Sequence, residues 1–572
     1  MEKLKISSIK IFDTAAIVLF MLIALVFTVG NLGNHFSTYF IMPSDASNIS
    51  SFAAALDHPD YFVNDAVLNN SANFAHYDSI QVPLTRFLGQ VFGSYGSAFG
   101  FLIFPVTFLH LIGYYILGIA LLKKRTWALL LTLCLMVPVA MNLGENWGLV
   151  SDVIPRFLFQ ALLPFLLTAV IHWGHNPKSW LWLMIATGLL VYVHPVSLPV
   201  WGVSVLLSLW ILATGQPLKK KLLGLGFAAL AFLLVITPFT INYLSTTTFG
   251  AAEAGNNYQT ILDIMRQRFI PGFIDLTVGF KEFIKTVVTS NWINLFVWVF
   301  VILAGFGFGI YTLKNKHNSL ILVLAAWWVG IFIIGVTAPI IDHALAAALQ
   351  RMPLEVDLIR SLRYAIPLLL ISAFYLLSEL QNICLEKTAV KFNRITSIGF
   401  LAVGALLLVG WMIRYQFYNN GALVQTANCW KSGHHTCPLP NEDYLNQRAD
   451  LLDDIKWKTP IGSKILGTDF YDLDVRYYAL RPLVYTYKDG GILIYANHKE
   501  LLTWYDDFQQ MDAIDRQKDD RKIYLDDLTS FGQKHQADFL ILREPFQAGL
   551  YLPSGLKNVY SNPGFSLYQV IS

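Results

Sequence analysis

The chain has 572 residues, of which 55% are hydrophobic and only 14% charged. Soluble proteins carry about a quarter charged residues, so this composition excludes a soluble globular chain and points to an integral membrane protein. The net charge of +3 is small and the basic residues fall in short clusters, not along one stripe, which excludes nucleic-acid binding.

Apolar runs lie near 11–30, 95–122, 126–143, 157–173, 180–196, 198–214, 223–244, 292–313, 320–341, 364–381 and 396–416. A helix crosses a bilayer with about 20 such residues, so the expected fold is an α-helical polytopic membrane protein with about eleven transmembrane helices. Lys3, Lys5 and Lys10 precede the first run, and Lys123–Arg125, Lys178, Lys219–Lys221, Lys314, Lys316, Lys387, Lys391 and Arg394 occupy alternate connections. Cytoplasmic loops collect such residues, so the N-terminus is expected in the cytoplasm and everything after residue 416 outside. The first run is longer than a signal-peptide core and is read as a retained span. This divides the chain into a transmembrane domain, 1–416, with outer loops at 31–94, 245–291 and 342–363, and an extracytoplasmic domain, 417–572. The compact loops fit a bacterial plasma membrane.

The first outer loop opens with "MPSDASNISSFAAALDHPDYFVND", which carries Asp45, Asp57, Asp60 and Asp65 without a basic residue. Ile49, Phe52, Ala53 and Leu56 recur at helical spacing, predicting a helix whose apolar stripe lies on the membrane surface or on neighbouring spans, capped by Ser44 or Asp45 and stopped at His58-Pro59. Asp57 and Asp60 read as solvated acids at that stop. Asp45 and Asp65 flank the helix and are the candidates for a catalytic base or a divalent-cation contact, Mg or Mn.

The next outer connection, "NLGENWGLVSDVIPRF", offers Glu145 and Asp152. His194 sits in a Pro-broken hairpin, where a structural hydrogen bond competes with a substrate role. Arg266 and Arg268 form a basic pair in "MRQRF". Asp342 and His343 end a span on the same side. In "DLIRSLRYAIPLL", Arg360 and Arg363 are three apart immediately before a span, the placement a lipid phosphate requires, although arginines there also snorkel to headgroups.

Beyond residue 416 the pattern changes to alternating elements. Strands are expected at 463–470, 481–487, 537–544 and 565–572 and helices at 441–455, 498–509 and 522–535, an α/β domain. Cys429 and Cys437 bracket "CWKSGHHTC" and are candidates for a disulfide in an oxidising compartment; zinc with His434 and His435 has an unusual spacing, and two unpaired thiols are the third reading.

An N-terminal span followed at once by an outer loop with "SDASN", a helix behind that acid, many further spans and a terminal outer α/β domain together resemble the GT-C class of membrane glycosyltransferases. The Trp-Trp-Asp triplet of oligosaccharyltransferases is absent. The resemblance implies a polyprenyl-phosphate sugar donor in the membrane lipid, a glycan, lipid or protein acceptor, Asp45 as base or metal contact with Asp65 as second candidate, and a further acid from Glu145 or Asp152. The competing classes are a transporter or lipid flippase and a non-catalytic sensor or assembly protein. A carrier places ionisable groups at the bilayer midplane, whereas the middles of these runs lack Asp, Glu, Lys and Arg.

Overall fold

The computed structural model describes residues 2–33, 42, 44–141, 145–150, 152–247, 254–268, 274–288, 319–349, 351, 353, 356–387, 393–416, 429, 431, 441–468, 472–547 and 549–571. Among these, seven helices are long and apolar enough to cross a membrane, by length and composition: Lys10–Leu32, Tyr95–Leu122, Pro155–Trp173, Pro195–Leu212, Leu218–Thr246, Ser319–Leu349 and Asp357–Glu386. Three shorter apolar helices, Arg125–Leu135, Trp180–Tyr192 and Ile395–Leu406, match three further runs. The run at 292–313 lies outside the described residues. The run at 126–143 is only partly helical, because the chain reaches Pro138, which cannot continue a helix, and passes into a hairpin of β1 (Val139–Met141) and β2 (Glu145–Trp147).

Four helices frame the site: α1 (Glu2–Leu32), α2 (Ser44–Asp57), α3 (Gln81–Phe92) and α4 (Tyr95–Leu122). One end of the bundle is tied by polar side chains of the basic turns. Arg125 and the Tyr115 hydroxyl donate to Asp13, and Lys124 donates to Gln381 and Asn382 at 2.7 and 2.6 Å. The opposite end carries α2, α3 and the C-terminal domain.

Of the two settings its apolar stripe allows, the helix behind Asp45 takes the packed one and not the membrane surface. Ile49, Phe52 and Ala53 are buried, but so are Ser47, Ser50, Ser51 and Ala54, while Leu56 is exposed. The reason is tertiary. α2 is enclosed by α3, α4 and the short helix Asp474–Tyr477 of the C-terminal domain. The interfacial helix is instead α3, which buries Val82, Thr85 and Leu88 and leaves Phe87 and Val91 exposed beside the span that follows. Asp57, expected to be a solvated acid, accepts from Arg86 of α3 at 2.7 Å and from the Tyr95 hydroxyl at 2.9 Å, tying three helices together. Asp60 is exposed as expected.

The C-terminal domain is α/β. Its sheet runs β3 (Ile465–Leu466), β4 (Phe539–Leu542), β6 (Ser566–Val570), β5 (Leu556–Ser561), with β3 parallel to β4 and the other pairs antiparallel. Helices Glu442–Lys458, Asp489–Ala496, His498–Asp515 and Arg521–Lys534 surround it. The expected strand at 481–487 makes a single bridge, Leu483 to Ile465, and the segment Asp489–Ala496 is helical. Cys429 is disulfide-bonded, Cys134 and Cys384 are free thiols, and Cys437 lies outside the described residues.

Candidate active site

A cavity of about 370 Å³ opens at the loop-bearing end of the bundle, between α2, the spans and the C-terminal domain. Such a volume suits a small polar headgroup and its immediate neighbours. Its charged lining comes from five separate segments: Asp45 from α2, Asp78 from the loop before α3, Arg156 from the helix Pro155–Trp173, Asp357 and Arg360 from the segment Val356–Tyr364, and Lys488 from the C-terminal domain. Asp45 and Arg360 therefore face one space.

Asp45 lies in the first turn of α2, where the helix dipole favours a carboxylate. Its Oδ2 stands 3.8 Å from Arg156 Nη2. That exceeds the roughly 2.7–2.9 Å of a charge-assisted hydrogen bond, so the contact is one an incoming anion can displace. Arg360 donates to Asp357 at 2.9 Å. Both belong to a 3₁₀ segment, Val356–Tyr364, rather than to the α-helix expected there. That segment packs on a π-helical stretch, Ile333–Thr337, where Gly335 leaves room for Leu362; an added Cβ would stand 3.0 Å from it. The small residue in a widened turn seats the arginine segment at the cavity.

Arg363 is not a lining residue. It is 2% exposed and donates to Ser197 Oγ and, at 3.3 Å, to the Tyr364 hydroxyl, while Tyr364 donates to the same Ser197 oxygen at 2.6 Å. It sits behind His194, its Nη2 3.5 Å from His194 Nδ1. His194 lines the cavity and caps the 3₁₀ turn Pro195–Ser197, its Nδ1 accepting from the Ser197 N–H at 3.2 Å. An accepting Nδ1 places the ring proton on Nε2.

Asp152 lies at the edge of the cluster, with one carboxylate oxygen buried and no hydrogen-bond partner. Burial pushes its pKa up to about 7, against the pull of Arg156 and Lys488 and with the push of Asp45. His76 lines the cavity, its ring 5.5 Å from that of Tyr495; burial lowers it to about 4, so it is neutral at pH 7. Burial first, and then the Asp45 carboxylate, hold the Tyr77 hydroxyl above its ordinary value, so it stays a proton donor.

Asp65 stands apart from the cavity. It is 1% exposed and accepts from Arg476 Nε and Nη2, both at 2.8 Å, and from the backbone N–H groups of Val67, Leu68 and Leu483. Arg476 also donates to Asp489 at 2.6 and 3.1 Å. Asp65 thus clamps the first loop to the C-terminal domain, and its lone pairs are committed. The expectation that it converges with Asp45 on a substrate or cation is corrected by this geometry. Among the described residues no three His, Cys, Asp or Glu side chains cluster as metal ligands.

The remaining expected residues lie elsewhere. Arg266 is exposed and pairs with Asp263 at 2.8 Å, and Asp342 pairs with Arg351 at 3.2 Å. Glu145 is in β2, but its side chain, like that of Arg268, lies outside the described residues. Arg156 was not anticipated, and Lys488 was expected only as one of several outer-domain charges that contact an acceptor or solvate a surface. The sequence signal for Arg156 is an ionisable residue just inside a span, after Pro155. Lys488 has no local signal, because its place depends on the clamp at its neighbour Asp489.

No protein-family model matches the chain, and no curated protein matches it. Among solved structures it is similar to a crystal structure of ArnT from Cupriavidus metallidurans bound to undecaprenyl phosphate, with 13% identity over 97% of this chain and 98% of that one and a TM-score of 0.45.

Proposed function

We propose that this protein is a GT-C-like membrane glycosyltransferase that moves a sugar from a polyprenyl-phosphate donor to an acceptor at the loop-bearing face. The observation that supports this reading is the meeting of Asp45 with Arg156, Arg360 and Lys488 in one cavity. The cavity also touches Tyr243 near the end of the helix Leu218–Thr246, the least buried of the seven long helices. A headgroup can occupy the cavity while its isoprenoid tail lies along that exposed helix.

In this mechanism the donor phosphate displaces Asp45 from Arg156 and competes with Asp357 for Arg360, while Lys488 adds a third cation. Asp45, freed from its long contact, accepts the proton of the acceptor hydroxyl as that oxygen bonds to the anomeric carbon. The bond from that carbon to the phosphate oxygen breaks with its electron pair on the phosphate, where the cations hold the developing charge. Arg363 and Ser197 keep His194 in place rather than touching the phosphate. A single displacement of this kind inverts the anomeric configuration.

The test is purified protein in lipid nanodiscs with a panel of polyprenyl-phosphate sugars, following sugar release or transfer. Turnover of at least one donor, abolished in Asp45→Asn and weakened in donor affinity by Arg360→Ala, is the expected result. If no donor binds or turns over, the transferase reading is wrong.

A further inference from the structure

A second cavity, of about 380 Å³, lies at the other end of α2. Its lining comes from His58, which follows α2, from Gly89, Gln90 and Gly93 at the end of α3, from Tyr95, and from Lys456, Tyr477, Tyr478 and Leu480 of the C-terminal domain. The proposed transfer chemistry uses none of these residues.

The walls are held by specific bonds. On the membrane side, the Tyr95 hydroxyl donates to Asp57, which Arg86 neutralises, and Gly89 lets α3 approach the Tyr95 ring, which an added Cβ would meet at 2.7 Å. On the other side, the buried Arg481 donates to the carbonyls of Lys456 and Thr459 at 2.8 and 2.7 Å and to those of Ala479 and Leu480 at 3.2 and 3.1 Å. This lashing holds Leu480 at φ 55°, a left-handed conformation unfavourable for a bulky residue.

The chemistry of the lining separates possible occupants. Acyl chains fill aliphatic walls, whereas sugar rings lay their C–H faces on aromatic rings and use polar edges for hydrogen bonds. Among the described lining residues Leu480 is the only aliphatic side chain larger than glycine, and the other surfaces are tyrosines, an imidazole, an amide, an ammonium and the Ser94 hydroxyl. Lys456 lies 5.5 Å from the Tyr478 ring, so a cation stands beside an aromatic face.

We infer that this second cavity is a carbohydrate-binding site holding a glycan portion of the acceptor, a claim whose acceptor clause rests on the transferase reading. From Asp45 to His58 the α-helical rise carries about 20 Å, the reach of an oligosaccharide and not of a single sugar. One segment, α2, thus sets the spacing between the reacting end of the acceptor and a remote anchor. Lys456 favours a glycan bearing carboxylates.

The test is an array of tetrasaccharides, neutral and uronate-bearing, titrated against the full chain in nanodiscs. At least one uronate member binds, and Gln90→Trp, which fills the cavity from α3, weakens it about tenfold, roughly 1.4 kcal/mol. Lys456→Ala weakens uronate members more than neutral ones, and cooperative melting near the wild-type temperature establishes that both variants are folded. The inference is overturned if no tetrasaccharide binds, if both folded variants bind as wild type does, or if native mass spectrometry finds a phospholipid retained by wild type and lost from Gln90→Trp. Polyprenyl-phosphate binding is measured separately on wild type. Tetrasaccharide binding without it upholds the carbohydrate site and overturns the acceptor clause together with the transferase reading; the reverse overturns only the carbohydrate site.

Discussion

Two clusters of carboxylates and guanidinium groups each take one acid from the first loop, Asp65 and Asp45, and they are built for opposite purposes. At Asp65, Arg476 and Asp489 the side chains are fully buried, the bonds are 2.6–3.1 Å, and backbone N–H groups take further lone pairs. At Asp45, Arg156, Asp357 and Arg360 the groups open onto a cavity, and one ion pair is stretched to 3.8 Å. The residue types are the same. Burial distinguishes the cluster sealed inside the fold from the one that faces a cavity. Burial works against the charge of Arg476, yet the pull of Asp489 and Asp65 raises its pKa overall, which fixes it as a permanent cation.

That contrast can be broken at its closed end first. Arg476→Met leaves two carboxylates buried without their cation and is expected to cost about 3–5 kcal/mol of stability, read as a lowered denaturation midpoint or lost expression. At the open end, Asp45→Asn should leave the melting temperature near wild type and reduce turnover by about a hundredfold or more, the range for a lost general base. An equal stability loss for both variants would erase the distinction between the clusters.

A smaller effect is expected at the cations. Arg360→Ala and Lys488→Ala should each weaken polyprenyl-phosphate binding about tenfold, in line with a charged hydrogen bond of roughly 1.5–3 kcal/mol, measured by titration in nanodiscs. Because Lys488 adjoins the clamp, its loss should appear in donor affinity without a change in unfolding.

The smallest effect is in pH dependence. Burial raises Asp152 from 3.8 to about 7, so the folded chain holds a proton that the unfolded chain releases. The associated stability is complete below about pH 4 and is lost as pH rises through about 7. Asp152→Asn should flatten that decline in melting experiments. Protonation also removes a negative charge near Arg156 and Lys488, so lipid-phosphate affinity should be a few-fold higher at pH 6 than at pH 8. The asparagine variant should reduce that difference to what the ligand's own ionisation supplies.

Much of the frame was legible because long apolar runs and punctuating lysines are local signals. Ten of the eleven runs coincide with described helices. Asp45 was legible for the same reason: a capping acid directly behind a span is a pattern in consecutive residues. Asp65 was misread because nothing near it announces Arg476, 411 positions away. The enclosure of α2 was not legible, because a hydrophobic stripe does not reveal that the rest of the helix is covered too, here by the segment Asp474–Tyr477 among others. Residues 489–496, "DGGILIYA", carry two glycines after Asp489 and continue with β-formers, yet burial against the first loop and the neighbouring helix makes them helical. Arg363 was assigned to the phosphate by its spacing from Arg360, but its side chain is buried and engaged by Ser197, 166 positions away, which nothing local announces.

The clamp at Asp65 also sets a timetable for the protein's own synthesis. A ribosome adds about 5–20 residues per second, so the 411 positions separating Asp65 from Arg476 take roughly 20 to 80 seconds to emerge. Throughout that interval the first loop must wait, solvated, with its carboxylate unanswered. Arg476 itself is supported by a domain whose strand β3 pairs with β4, and β4 in turn with β6 at residues 566–570. The cavity therefore receives Lys488 in its final setting only after residues 566–570 have emerged, and a chain stalled before them would insert its helices without assembling the site.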